Sequence, residues 1–246
     1  MNERLELSRP RDTTALFRDS LRVYRRHFGT FLALAAIVVV PATVIVEGIG
    51  LEQLSSSYDS SPGAAELIIP VAVAYLVIAP LMNAVCIHAL RSIAHGEQPG
   101  TRASAAKGFE AFTPLFLAVL LAAAGIALGL LLLVLPGIYL AVRWFFVPQE
   151  VVLEGARGVD ALQASSRVVR GSWWRTAGLV VLANLAALLP VMLLTTPLAA
   201  VAESTDRAVW ALLASTLTQM LTTPFVALFA TLLWYDLRAR RAPARL

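Results

Sequence analysis

Arg143 is the residue whose setting most demands chemistry. It lies inside an apolar stretch, Ile138 to Val152. A guanidinium in hydrocarbon needs polar partners, because even insertion-based scales assign it about 2.5–3.5 kcal/mol at a helix centre. Glu150 is seven residues on, nearly on the same face of a continuous helix and about 10 Å along its axis. That gap closes if Pro148 bends the helix, or if long side chains and water bridge it. Glu47, at the outer end of another apolar stretch, is the alternative partner. Asn83, Asn184 and Gln219 stand in three further stretches, and such amides hydrogen-bond between helices in membranes. These six residues form a candidate intramembrane polar site. Three readings of Arg143 stand. It locks its helix into a bundle, it contacts a substrate or lipid headgroup, or it snorkels without a dedicated partner.

Catalytic chemistry has no comparable signal. No G-x-S-x-G, H-E-x-x-H, Walker loop or G-x-G-x-x-G occurs, and no nucleophile–base pair stands out, so no catalytic residue is assigned. His27, His88 and His95 fall near the inner ends of apolar runs, and their spacing predicts no metal site. The single cysteine, Cys86, allows neither an intramolecular disulfide nor a cysteine metal cluster; it reads as a small buried apolar side chain. No cofactor is expected.

The elements that position these residues follow from composition and charge. Hydrophobic residues are 58% and charged ones 15%, with a mean hydropathy of +0.73. Soluble domains carry about 25% charge, so lipid must take up apolar surface that one soluble core does not need. Six apolar runs are predicted to span: Phe28–Val46, Leu67–Leu90, Thr113–Leu135, Ile138–Val152, Thr176–Ala199 and Val209–Tyr235. Basic residues alternate around them. The segment up to His27 holds Arg4, Arg9, Arg11, Arg18, Arg22, Arg25 and Arg26, whereas Gly48 to Glu66 holds none. Arg91 to Phe112 holds three and the Pro136-Gly137 turn none; Leu153 to Arg175 holds four, the link near Glu203 only Arg207, and the tail four. In all, 18 of the 20 Lys and Arg residues fall on one side. The positive-inside rule makes that side cytoplasmic and places both termini there. The pI of 9.7 therefore reflects cytoplasmic loops that meet anionic headgroups at about 1 kcal/mol per basic residue. It does not point to nucleic acid, since no aromatic–basic module is present.

Two basic segments read as amphipathic helices in the inner interface. In Asp12 to His27, Leu16, Phe17, Leu21, Tyr24 and Phe28 recur at helical spacing, with arginines on the other faces. Gly158 to Arg170 is the second, and Ala103 to Phe112 is a weaker third. Arg18, Arg22, Arg25, Arg26, Arg167, Arg170 and Arg175 are the expected headgroup-binding residues. Trp173-Trp174 and Trp234-Tyr235 fit aromatic belts. Gly125 and Gly129 form a G-x-x-x-G that permits close helix approach. The segment Arg22 to Phe28 loosely matches Arg167 to Trp173. Each would open a unit of one interfacial helix and a two-span hairpin, although the topology rule alone also produces such a match.

Pro136-Gly137-Ile138-Tyr139-Leu140-Ala141-Val142-Arg143, with Val147-Pro148, Glu154-Gly155, Ala161-Leu162, Ser165-Ser166 and Gly171-Ser172-Trp173-Trp174-Arg175, resembles a known pattern. It is similar to the membrane domain at the N-terminus of some bacterial glycerophosphodiester phosphodiesterases and to related stand-alone six-helix bacterial membrane proteins. The resemblance implies a polytopic helical domain. The hydrolytic residues of those enzymes belong to a soluble barrel with no counterpart here, since the chain ends 11 residues after Tyr235, so no diesterase activity carries over.

The expectation is therefore an all-α, polytopic integral membrane protein of the bacterial cell membrane. It has six transmembrane helices as three hairpins, with interfacial amphipathic helices. Residues 1–27 form a cytoplasmic tail and amphipathic helix, 28–236 the membrane domain and 237–246 a basic tail. The expected role is non-enzymatic, organising or assisting envelope components. The alternative is a transporter or lipid-handling protein that uses the polar site around Arg143. Expected partners are membrane lipids with anionic headgroups, and other membrane proteins or further copies of the chain.

Overall fold

The computed structural model describes residues 10–47, 64–205 and 209–241. The expected outer loop, with Ser55 to Ser61, and Arg207 lie outside the described residues, as does the side chain of Glu47. All regular structure among the described residues is helical. Five helices are long and apolar enough to cross a membrane.

Helix α1 (Thr13–Arg26) joins α2 (Phe28–Glu47) at His27, whose φ of −116° and ψ of 29° break the regular helix for one residue. Arg25 and Arg26 fill the last turn of α1, where cations complement the helix dipole. The expected helix is present; part of its apolar face meets protein, while Leu21 and Phe28 of that face are exposed. Leu16, Val23 and Tyr24 are buried, and α1 runs antiparallel to the C-terminal half of α11 (Val209–Ala239). The Phe17 and Phe229 rings lie 4.6 Å apart, and Tyr24 Oη donates to the Leu221 carbonyl at 2.9 Å. Burial, and secondarily Cys86, push the Tyr24 phenol up to about 12, so it remains a donor at that contact. Burial first, then neighbouring Arg26, lower His27 below the ordinary imidazole value.

Helices α3 (Ala64–Val73) and α4 (Ala79–Ala94) are linked by a π-helical turn, Ala74–Ile78. Pro80 stands two residues beyond it. Proline brings no N–H and crowds the carbonyl four residues back, and one widened turn accommodates both without breaking the helix. Helix α5 (Thr101–Glu110) returns along α4 and leads into α6 (Phe112–Leu132).

Helix α7 (Val134–Arg143) folds back on α6 through a tight turn. A Cβ added to Gly129 would lie 3.0 Å from the Gly137 Cα, and one on Gly137 would lie 2.7 Å from the Leu130 nitrogen. Only glycines let these backbones meet, so the G-x-x-x-G packs within the chain against α7. The turn exposes five apolar residues, Leu131 to Leu135, with Leu131 at 82%.

The fourth expected span, Ile138–Val152, is divided. Helix α7 stops at Arg143 and α8 (Val147–Glu154) starts afresh. Pro148 sits in the first turn of α8, where a missing N–H costs nothing. Gly155 ends α8 at φ +71°, a conformation that suits glycine. Helix α9 (Gly158–Val169) matches the second expected amphipathic segment. Its face of Ala161, Leu162, Ala164, Ser165, Val168 and Val169 is likewise buried in protein. Helix α10 (Trp173–Thr205) pairs with α11. The C-terminal half of α11 is the central element of the larger core, where Leu228, Leu232, Leu233 and Trp234 are buried beside residues of α1, α2 and α4.

Candidate functional site

The polar side chains collect where the starts of α1 and α10 meet the ends of α8 and α11. Asp236, with 0% exposure, is the hub. Its Oδ1 accepts from the backbone N–H of Arg11 at 2.6 Å, and its Oδ2 from Arg175 at 3.1 Å. Arg240 Nε lies 3.0 Å from both oxygens. The Arg11 carbonyl accepts in turn from Arg175 at 3.0 Å and from Arg240 at 2.6 Å. Arg11 also pairs with Asp19 at 3.1 Å. One carboxylate thus ties three helix termini together, and Arg175 is a structural cation here rather than a free headgroup ligand.

Two residues earlier on α11, Trp234 Nε1 donates to Glu150 Oε1 at 2.8 Å. The Arg238 guanidinium stacks 4.5 Å over the Trp234 ring and pairs with Glu154. On the other side of α8, Gln149 Nε2 donates to Asn83 Oδ1 at 2.9 Å, while Asn83 Nδ2 donates to Ala79 O.

Arg143 lies elsewhere. Its guanidinium donates to Tyr139 Oη at 3.1 Å and sits 5.7 Å from that ring's centroid. The expected pairing of Arg143 with Glu150 does not form, because the break between α7 and α8 ends the helical register on which it depended. Ser165 stabilises this break. Its buried hydroxyl accepts from Phe146 N–H at 3.1 Å and donates to the Arg143 carbonyl at 2.9 Å. A single side chain therefore satisfies one orphan donor and one orphan acceptor left by two helix ends.

Arg143 faces an open cleft of about 770 Å³ between α7, α9 and the start of α10. Arg167 and Arg170 line it as well, with Tyr139, Trp144 and Trp173. Tyr139 and Trp173 stack with centroids 5.9 Å apart, and Trp173 Nε1 donates to the Tyr139 carbonyl at 3.3 Å. Among the described residues, no Asp or Glu lines the cleft. None of the three arginines joins an ion pair among the described residues.

The five expected site residues whose side chains are described, Arg143, Glu150, Asn83, Asn184 and Gln219, do not form one cluster. Asn83 bonds across helices, but to Gln149. Asn184 donates within its own helix, to Val180 O, at an exposed position. Gln219 keeps a buried Oε1 without a partner. Of the expected headgroup arginines, Arg18, Arg22, Arg25 and Arg26 are exposed on α1, with Arg22 3.4 Å from Asp19. Tyr139, Gln149, Trp234 and Asp236 were not singled out as site residues. Tyr139 was legible four residues before Arg143, on the same helix face, and Asp236 as the lone acid of the C-terminal segment, four residues before Arg240. Among the described residues, no three His, Cys, Asp or Glu side chains converge as metal ligands.

Comparison with known proteins returns a single family. No curated protein and no solved structure matches the chain. Residues 64–237, from the start of α3 almost to the end of α11, match the family described as Domain of unknown function (DUF7847), and the chain belongs to that family.

Proposed function

We propose that the chain is a six-span protein of the bacterial cell membrane, with both termini cytoplasmic and no reaction of its own. Its role is to organise or assist other envelope components through its spans and its basic inner end. The observation that carries this reading is the collection of basic side chains where Arg175 and Arg240 pair with Asp236, Arg238 with Glu154 and Arg11 with Asp19. The Arg11–Asp236 contact holds the start of α1 and the end of α11 together, which favours an even number of crossings. The five long apolar helices then need a sixth, and α7 with α8 supplies it. The segment from Val134 to Glu154 would cross as two helices, α7 and α8, joined at Trp144 to Phe146. Kinship with the membrane domains of bacterial glycerophosphodiester phosphodiesterases is part of the same proposal and rests on the Pro136 to Arg175 motifs.

Single-cysteine labelling tests the topology. In a Cys86→Ser background, a membrane-impermeant thiol reagent is expected to modify Ser57→Cys in intact cells. It should reach Ala103→Cys, an exposed position on α5, only after permeabilisation. The reverse pattern would overturn the topology.

A second reading, lipid handling, is favoured by the cleft at Arg143, Arg167 and Arg170. Gentle extraction separates the two. The organising role predicts an assembly with other membrane proteins on native gels. A monomer that carries a stoichiometric lipid would favour lipid handling instead.

A further inference from the structure

We infer that the cleft between α7, α9 and α10 binds the phosphate of an anionic glycerophospholipid from the cytoplasmic leaflet. The leaflet assignment rests on the topology proposed above; the binding chemistry does not.

Three guanidiniums, Arg143, Arg167 and Arg170, face one cleft that no carboxylate among the described residues lines. Like charges brought together repel, and an entering anion relieves that repulsion; Glu150 acts on Arg167 from outside the lining. The arrangement is held by the fold. Ser165 fixes the backbone at Arg143, and Tyr139 holds its guanidinium from one side. Arg241 donates to the carbonyls of Arg167 and Arg170 at the end of α9, which brings a further cation to the rim. Guanidiniums suit phosphate because two N–H groups can meet two oxygens at once.

The surroundings favour a lipid over a soluble phosphate. The stacked Tyr139–Trp173 pair forms one wall, and such amphipathic rings prefer the headgroup level. Trp174 packs edge-on against Trp173 and is 84% exposed. From Tyr139 the exposed surface of α7 continues through Ile138 and Leu135 to the apolar turn. A headgroup in the cleft would thus have its acyl chains beside an apolar flank.

The test is native mass spectrometry of the full chain in neutral detergent, with phosphatidylglycerol or phosphatidylcholine supplied. Phosphatidylglycerol is expected to be retained at one per chain, and phosphatidylcholine not. The double variant Arg167→Gln/Arg170→Gln alters exposed side chains, so it should melt like the parent. It is expected to retain the lipid roughly tenfold less well or worse, and adding Arg143→Gln to abolish retention. An Arg18→Gln/Arg25→Gln control should retain it as the parent does. Equal retention of both lipids, or parental retention in the double variant, would overturn the site. Displacement of the lipid by millimolar glycerol 3-phosphate or inorganic phosphate would overturn the lipid assignment and make the ligand a soluble phosphate. Detergent has no sidedness, so a topology reversed by labelling would leave this result to stand or fall alone.

Discussion

Asp236→Asn is expected to be among the most damaging single substitutions in the chain, although it changes one atom. Asparagine preserves the shape and can still accept from the Arg11 N–H. It removes the negative charge that faces Arg175 and Arg240 in a fully buried position. Removing one partner of a buried ion pair typically costs about 3–5 kcal/mol, because the other charge is left uncompensated out of water. Arg175 is the more exposed of the two to this effect, since its Nε already lacks a partner. The consequence should be local first. The start of α1 is tied down here through both backbone groups of Arg11, so the α1–α11 contact should loosen before the rest of the bundle. Thermal melting in detergent should show a fall of many degrees, with protease cleavage near Arg11 to Arg18 appearing below the main transition. Arg240→Ala should cost less, because Arg240 is partly solvated and Arg175 remains. If Asp236→Asn melts with the parent, the cluster is a surface feature and the clasp does not exist.

Much of the fold was legible because it depends on patterns with a fixed period. Helical spacing in Leu16, Phe17, Leu21, Tyr24 and Phe28 located α1, and a similar pattern located α9. The apolar runs located five of the long helices. Gly125 and Gly129 marked a close approach, and it occurs against the Trp144 ring and Gly137 respectively. What the pattern could not supply was the partner surface. An apolar helix face beside arginines is the same signal whether it meets lipid or another helix, and here α11 covers α1. The position of Arg143 failed for a sharper reason. Placing it on one face with Glu150 assumes unbroken rotation of about 100° per residue, and three residues at Trp144 to Phe146 leave the helix. That break is stabilised by Ser165, 22 residues beyond Arg143, a contact no local periodicity encodes. Asp236 was hidden in another way. A lone acid in a basic tail reads as solvated, and only the tertiary meeting of α1, α10 and α11 buries it.

Trp234 tests whether the second polar layer supports the same end of the molecule. Its side chain is among the largest that are fully buried, and it has three roles: it fills the core, donates to Glu150 and carries Arg238 on its face. Trp234→Ala is expected to cost about 3–5 kcal/mol, the range for truncating large core aromatics. Trp234→Phe separates the roles, because it keeps most of the ring and loses the N–H. It should cost about 1–3 kcal/mol, since the buried Glu150 then lacks its donor. The decisive comparison is a double-mutant cycle with Glu150→Leu. If the Trp234–Glu150 bond is what the phenylalanine variant loses, Trp234→Phe should cost markedly less once Glu150 is gone. Strict additivity of the two substitutions would show that the indole acts through packing alone. The α8–α11 contact would then rest on the packing of the indole and on the Arg238–Glu154 pair, and Glu150 would have to find water rather than Trp234.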